Sequence, residues 1–372
     1  MSAPHLAVLV SFSGQGGVER SFALLVNAIA ELGVKVDLLL IKRKSPHLAL
    51  VSSDVNCIAL KHQHAATCSG EVANYLTHSK PDALLVAKHR AIVAAAKAAD
   101  KARYPGPVVG VIGINTSASI AIRSWPQRFL WRLNMRRHYP RLTRLIAVSD
   151  GVNADLCKLA HLPASKVVTV RNPVIDNGLR TMAEAPVRHS WLEDPHVPLI
   201  VSVGRLSHSK DYPTLIKAMS LLRDRAARLV ILGEGGDRPQ LEALISDLQL
   251  EARVSLPGFV DNPFSWMRSA QVFALSSVIE GSGNVLVEAM ALGTTVVTTD
   301  CPSGPSEIVD GGRHGALVPM QDPAALASAI DDALLRPRDQ EQLQEATREF
   351  EAKVSARNYL VVLNIDIPDK LA

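Results

Sequence analysis

Cysteine is scarce: Cys57, Cys68, Cys157 and Cys301 are scattered without C-x-x-C spacing, which argues against a disulfide framework and against structural zinc. No apolar run approaches the ~18 residues that a membrane span requires. The long Ala-rich stretch over residues 91–102 is interrupted by Lys97 and Lys101. The start of the chain has no basic leader, and the apolar run 6–10 is too short for a signal-peptide core. D-x-D does not occur, so a carboxylate-held divalent metal on a diphosphate has no obvious ligands, and no metal is expected. Aromatic residues amount to only 4%. Together these absences point to a soluble, cytoplasmic chain without a metal or other resident cofactor.

What is present is a globular composition. Hydrophobic residues make up 47% of 372, enough for sizeable cores and for about two domains. The formal net charge of +4 conceals a split. Residues 1–172 carry 22 Lys and Arg against 9 Asp and Glu, whereas residues 173–372 carry 18 against 27. Such asymmetry suggests two domains with different partners, the first favouring something acidic.

Short β-branched runs alternate with helical-period stretches. Strands are expected at 6–10, 34–41, 82–86, 108–112, 145–148 and 167–170, with a first helix over 18–32. Residues 173–197 have no sustained period and hold Pro173, Pro186 and Pro195, so they read as a linker. The alternation then restarts, with strands at 199–203, 228–232, 254–256, 272–275 and 295–298 and helices at 212–223, 239–248 and 284–291. This is an α/β fold of two parallel-sheet domains. Ligands of such sheets bind beyond the carboxyl ends of the strands, so two domains facing each other create a central cleft. The expected boundaries are 1–172, the linker 173–197, 198–340, and a C-terminal helical segment 341–372.

Several segments carry chemistry. Gly14-Gln15-Gly16-Gly17-Val18-Glu19-Arg20 joins the first strand to the first helix, where glycines let backbone amides approach an anion. A tight strand–helix turn would look the same. A dinucleotide fingerprint needs a small residue where Glu19 stands, although Asp37 lies near the place of a ribose-binding acid. Val203-Gly204-Arg205-Leu206 with Lys210-Asp211 puts two cations in the loop after a strand, where they could bind a departing diphosphate. A solvated loop with ordinary surface cations is the bland reading. In Glu280-Gly281-Ser282-Gly283-Asn284-Val285-Leu286-Val287-Glu288, the glycines place the helix start near Asn284. One carboxylate, Glu280, can then reach a sugar ring while Glu288 accepts from ribose hydroxyls. Glu288 could equally be a paired or exposed helix residue.

Taken together, these segments resemble the retaining glycosyltransferases of family 4, which have the GT-B fold. The resemblance rests on G-G-V-E-R, V-G-R-L with K-D, G-E-G at 233–235, P-G-F at 257–259, E-x7-E at Glu280 and Glu288, and C-P-S-G-P-S-E-I at 301–308. It spans nearly the whole chain. It implies two Rossmann-like domains, the first for the acceptor and the second for a nucleotide-sugar donor, expected to be UDP-linked. Arg205 and Lys210 would bind the diphosphate, Glu288 the ribose, and Glu280 the transferred sugar. Gly283, Asn284, Val285 and Leu286 would present amides to phosphate and sugar oxygens. Gly233, Glu234, Phe259 and Val260 would border the base, and Gly16 and Gly17 would face the diphosphate from the first domain. Transfer with retention would need no protein nucleophile. The C-terminal segment would cross back to the first domain, with Arg348, Phe350, Tyr359 and Leu360 coupling the two during closure. Many members carry a histidine where this chain has Ile114, in Gly113-Ile114-Asn115-Thr116. Another group would then contact the donor sugar, or Asn115 or Thr116 would; His89 could substitute, or could be an ordinary surface residue.

Residues 123–144 hold seven arginines and no acid, with Trp125, Phe129 and Trp131 interleaved. Arg123, Arg128, Arg132, Arg136 and Arg137 would favour anionic lipid headgroups or a lipid-linked phosphate acceptor, as the i, i+4 spacing of 128, 132 and 136 makes a basic stripe. The alternative is an amphipathic helix that packs Phe129 and Leu133 inward. No recognised nucleic-acid module accompanies the segment, so nucleic acid is not expected. The sequence therefore suggests a glycosyltransferase serving a glycolipid, polyprenyl-linked or polysaccharide acceptor in cell-surface glycan synthesis, peripheral at the inner face of the plasma membrane. A catalytically weak nucleotide-sugar-binding or partner protein, and a sugar-nucleotide 2-epimerase on the same fold, remain as alternatives.

Overall fold

The computed structural model describes residues 3–14, 16–187, 189–192, 194, 196–336 and 339–367. Gln15 of the glycine turn, Pro195 of the expected linker and the last five residues of the C-terminal segment lie outside them. The chain divides into two compact units, one of residues 1–174 with 349–372 and one of residues 175–348.

The first unit is built on seven parallel strands: β1 (His5–Phe12), β2 (Lys35–Arg43), β3 (Asn56–Ala59), β4 (Ala83–Ala87), β5 (Val108–Ile112), β6 (Arg144–Ala147) and β7 (Val167–Thr169). Their order is β3-β2-β1-β4-β5-β6-β7. The inner strands are covered on both faces, so β1 and β4 read as near-continuous Leu, Val and Ala, all buried from Leu6 to Val10 and from Ala83 to Ala87. Sequence reading misses β3, a four-residue edge strand whose side chains are mostly exposed. The helix Gly17–Glu31 buries Phe22, Leu25, Val26 and Ile29 against the sheet.

The second unit has six parallel strands: β8 (Leu199–Val203), β9 (Arg228–Leu232), β10 (Val254–Gly258), β11 (Val272–Leu275), β12 (Thr295–Thr299) and β13 (Ala316–Val318). They run β10-β9-β8-β11-β12-β13. Again an edge strand, the three-residue β13, escapes the pattern. Both sheets reverse direction of growth beside their first strand, at β1/β4 and at β8/β11. The ends of those strands are where open parallel sheets hold ligands.

The expected linker differs from what the structure shows. Residues 175–197 belong to the second unit, and Asn177–Ala183 is a helix packed against the helix Phe264–Ser269. Asp176 caps it by accepting from the Leu179 amide at 3.0 Å, and Asn262 donates to the Met182 carbonyl at 2.7 Å. With only Leu179 and Ala183 buried, it is too short to show a period.

The C-terminal segment is likewise divided. The helix Gln340–Ala346 belongs to the second unit, whereas Ala352–Leu363 packs on the helix Gly17–Glu31 of the first. Tyr359, Leu360 and Leu363 enter the first unit's core, and Ser355 Oγ donates to the Arg171 carbonyl at 2.9 Å. Phe350 is buried, while Arg348 pairs with Glu345 inside the second unit.

Candidate active site

In the second unit the loops after β8, β9 and β10 lie edge to edge. The Gly204 amide donates to the Leu232 carbonyl, Leu206 to Glu234, and Gly233 to Gly258, at 2.8–3.0 Å. This contact explains the glycines of V-G-R-L, G-E-G and P-G-F. A Cβ on Gly233 would lie 2.0 Å from the Gly204 oxygen, and one on Gly235 would lie 2.0 Å from the Leu206 oxygen. Gly233 and Gly258 also have φ of 145° and 95°, a region that disfavours side chains. Glu234 is clamped by Arg238 at 2.6 and 2.9 Å, which holds its carboxyl below the usual range. Phe259 stands exposed at the rim, with Val260 half-buried beside it.

The centre is Lys210. It ends a short turn after β8, and its Nζ lies 2.6 Å from Glu280 Oε1 in the loop after β11. Ser277 Oγ donates to the same carboxylate oxygen at 2.7 Å. The loops are stitched together by backbone: the Val278 amide donates to Ser209 O at 2.9 Å, and Ser276 Oγ to Lys210 O at 2.8 Å. Burial alone would pull the Lys210 ammonium down. The Glu280 carboxylate more than offsets it, and the pKa stands above the ordinary lysine value. Gly204 is required here too, because a Cβ would lie 2.8 Å from Lys210 Cε and 2.9 Å from the Tyr212 hydroxyl. Cys301 lies close enough to feel both charges; burial, then Glu280, pushes its thiol up to about 12. Among the described residues the Arg205 guanidinium is exposed and has no partner. Sequence reasoning missed Ser276 and Ser277, since serines after a strand carry no distinctive pattern.

The helix Asn284–Ala291 begins where expected, with Gly283 as N-cap at φ 84°. The Leu286 amide, expected to face a ligand, instead donates to the Gly283 carbonyl at 2.8 Å. Asn284 and Val285 remain in the first turn. Glu288 is 7% exposed, which excludes a solvated role. The loop of C-P-S-G-P backs this helix: a Cβ on Gly304, at φ 91°, would lie 2.4 Å from the Ser282 oxygen.

In the first unit, Gly16 caps the helix Gly17–Glu31. Glu19, buried in its first turn, pairs with Lys88 Nζ at 2.7 Å, and Lys88 also donates to the Ser11 carbonyl at 2.9 Å. This pair bridges the ends of β1 and β4. Lys88 takes φ 74°, a conformation that a lysine adopts only when its surroundings impose it.

His89 is not a surface histidine. Its ring stacks on Trp131 with centroids 4.1 Å apart, Nδ1 lies 2.8 Å from the Tyr139 hydroxyl, and Arg123 covers the Trp131 ring at 4.7 Å. Burial pushes the imidazole down to about 4, and the charges of Arg90, His138 and Arg123 act in the same direction. The unfolded chain takes up this proton near pH 6.5 and the folded chain only near 4. The stability contributed by the neutral ring is therefore complete above pH 6.5 and is lost as pH falls toward 4, by about 2–3 kcal/mol in all. Urea titrations at pH 7, 5.5 and 4.5 should show that loss, and His89→Phe should flatten it.

The arginine-rich segment forms the helix Trp125–His138. Arg128, Arg132 and Arg136 are all exposed, and two of them are also engaged locally. Arg128 donates to the Ala121 and Arg123 carbonyls at the end of the preceding turn, and Arg136 meets His161. Arg132 and Arg137 are exposed. Phe129 and Leu133 do not pack inward: Met135 and His138 do, leaving Ile122 (74%), Trp125 (77%), Phe129 (59%) and Leu133 (49%) exposed.

Two parallel-sheet units of this order, with a cation–carboxylate pair at the second switch point, have the architecture of a GT-B glycosyltransferase. Residues 15–177 match the family described as Glycosyltransferase Family 4, and residues 185–350 match Glycosyl transferases group 1. The chain belongs to the group 1 glycosyltransferases. Among its relatives is the lipopolysaccharide core biosynthesis glycosyltransferase LpsE of Rhizobium meliloti, 28% identical over 95% of this chain and 97% of that protein. Another is the N-acetylgalactosamine-N,N'-diacetylbacillosaminyl-diphospho-undecaprenol 4-alpha-N-acetylgalactosaminyltransferase of Campylobacter jejuni, 32% identical over 60% of this chain and 61% of that enzyme. The fold is that of Anabaena HepE, crystallised with UDP: TM-score 0.78 at 19% identity, covering 97% of this chain and 99% of the other.

Proposed function

We propose that the protein is a retaining glycosyltransferase that moves a hexosyl or N-acetylhexosaminyl group from a UDP-sugar to a lipid-linked or polysaccharide precursor, without a metal. The observation that carries this reading is the Lys210–Glu280 pair at the end of β8 and β11. Lys210, kept charged by Glu280, is a preorganised cation against which negative charge can grow as the diphosphate departs, with exposed Arg205 as the second. Glu280 already binds Lys210 and Ser277, which suits a group that orients the sugar better than a nucleophile. Retention then follows a same-face route in which the leaving phosphate helps to take the acceptor's proton. Glu288 holds the ribose, Phe259 and Val260 border the uracil, and Asn284 and Val285 face the phosphate. UDP in the HepE structure and the diphospho-undecaprenol acceptor in the Campylobacter enzyme's name support the donor and acceptor classes.

A thermal-shift panel tests the donor. UDP-sugars at one hundred times Kd should raise stability by about 2.7 kcal/mol, and EDTA should leave both the shift and UDP release unchanged. Response to no nucleotide sugar would sink the reading, and a shift without UDP release would mark a catalytically weak binding protein. EDTA-sensitive release would remove the metal-independent mechanism.

The exposed side chains Ile122, Trp125 and Phe129, flanked by Arg132 and Arg137, suit an anionic membrane surface at the inner face of the plasma membrane. Sedimentation with vesicles of 30 mol% phosphatidylglycerol should fall at least tenfold in Trp125→Ser/Phe129→Ser. Arg132→Ala/Arg137→Ala should lose about 2 kcal/mol of binding at low salt. Equal sedimentation of neutral vesicles, or of both variants, would remove the membrane claim.

A further inference from the structure

The first unit contains a cavity of about 280 Å³ lined entirely by its own residues. It sits over the ends of β4, β5 and β6 and against the helix Gly17–Glu31, beside that sheet's switch point, where parallel sheets hold ligands. Its volume is at the small end for ligand pockets, room for one sugar ring and not for a chain. Most of its wall is hydrocarbon, from Val18, Phe22, Val111, Ile112 and Val148, with Ile114 at the lip, 43% exposed, while Ser21, Thr116, Ser119 and Asn172 also line it.

Into this apolar wall the structure brings one oriented imidazole. His89 opens the helix after β4, and the left-handed backbone at Lys88, held by Glu19 and the Ser11 carbonyl, turns it toward the cavity. Trp131, stacked on His89 and approached by Arg123, fixes the imidazole ring at the cavity wall. Tyr139 engages Nδ1. Nε2 has no partner among the described residues. A neutral imidazole with one nitrogen anchored offers the other as a hydrogen-bonding group of fixed direction.

We infer that this cavity is a subsite for one methyl-bearing pyranose, an N-acetyl or a 6-deoxy sugar, whose hydroxyl meets His89 Nε2 while its methyl group lies on the hydrocarbon wall near Ile114. That the ring belongs to the acceptor rests on the transferase reading; the binding itself does not. The polar lining can serve the ring's other hydroxyls, but a hydroxyl in the place of that methyl would lie against hydrocarbon, which is the larger source of discrimination. Glu19 and Lys88 act as positioning residues for His89.

Saturation-transfer NMR with the whole protein, using N-acetylglucosamine, 6-deoxyglucose and glucose as probes, tests the inference. The acetyl methyl or the C6 methyl should saturate most strongly, and glucose should bind at least fivefold more weakly. The arm that binds tells the acylamino source from the deoxy source. His89→Ala should weaken the bound sugar at least fivefold. Ile114→Ser, at the exposed lip where folding is not at stake, should narrow the preference over glucose at least threefold. Equal binding of glucose, or binding unaffected by either variant, would overturn the subsite. The UDP thermal shift of the same samples separates the two readings: a normal UDP shift with no sugar saturation defeats the subsite alone, and sugar saturation with no UDP shift defeats the transferase reading alone.

Discussion

Lys210→Ala should lower sugar transfer by about 10²–10³-fold, the size of effect seen when a preorganised partner of a developing negative charge is removed. The structure also gives the substitution a second cost. Lys210 and Glu280 are 16% and 13% exposed and only 2.6 Å apart, so truncating one leaves the other's carboxylate with Ser277 as its remaining donor. Breaking a fully buried pair costs about 3–5 kcal/mol. Residual solvent and the serine should reduce that to about 2 kcal/mol. A double variant separates the two effects. Lys210→Met/Glu280→Gln removes both charges, so urea unfolding should return to within about 1 kcal/mol of the native protein while transfer stays lost. Transfer by the single variant at half the native rate would dismiss the assignment.

Gly233→Ala should be the most damaging small substitution in the second unit. The new methyl would lie 2.0 Å from the Gly204 oxygen, and the backbone at φ 145° has no comfortable alternative. Overpacking and backbone strain each cost about 1–3 kcal/mol, so a loss of about 3 kcal/mol is expected, or roughly 6–12 °C in Tm. The neighbour that must yield is the turn carrying Arg205, so donor affinity should fall together with stability. Ala at Gly236, with nothing within 4 Å, provides the control and should be nearly neutral. A Gly233→Ala protein melting with the native one would show that the glycine contact between these loops is not structural.

Much of this was legible in the sequence because inner strands are buried on both faces. Residues 108–112, 199–203, 228–232 and 272–275 are uniform enough that their limits coincide with β5, β8, β9 and β11. The edges were not. β3 and β13 are short and partly exposed, and the helix Asn177–Ala183 buries one side chain per turn, so none makes a period. At the site, glycine and charge spacing located the loops around Lys210 and Glu280. Side-chain partnerships across sequence distance stayed hidden. Glu19 meets Lys88 from 69 positions away, and His89 meets Tyr139 from 50. The arginine spacing did place Arg128, Arg132 and Arg136 at the surface, but not the local bonds of Arg128 and Arg136 to their own unit's groups.

The return of the helix Ala352–Leu363 to the first unit has a consequence for biosynthesis. A ribosome delivers residues 1–174 early, yet the core that Tyr359, Leu360 and Leu363 complete stays open until the whole second unit has been made. The second unit is contiguous in the chain and has all its strands as soon as residue 348 emerges. The unit synthesised later can therefore finish first, and the earlier one must wait with an apolar face uncovered. Nascent chains stalled just before residue 352 should for that reason be the species that chaperones hold longest.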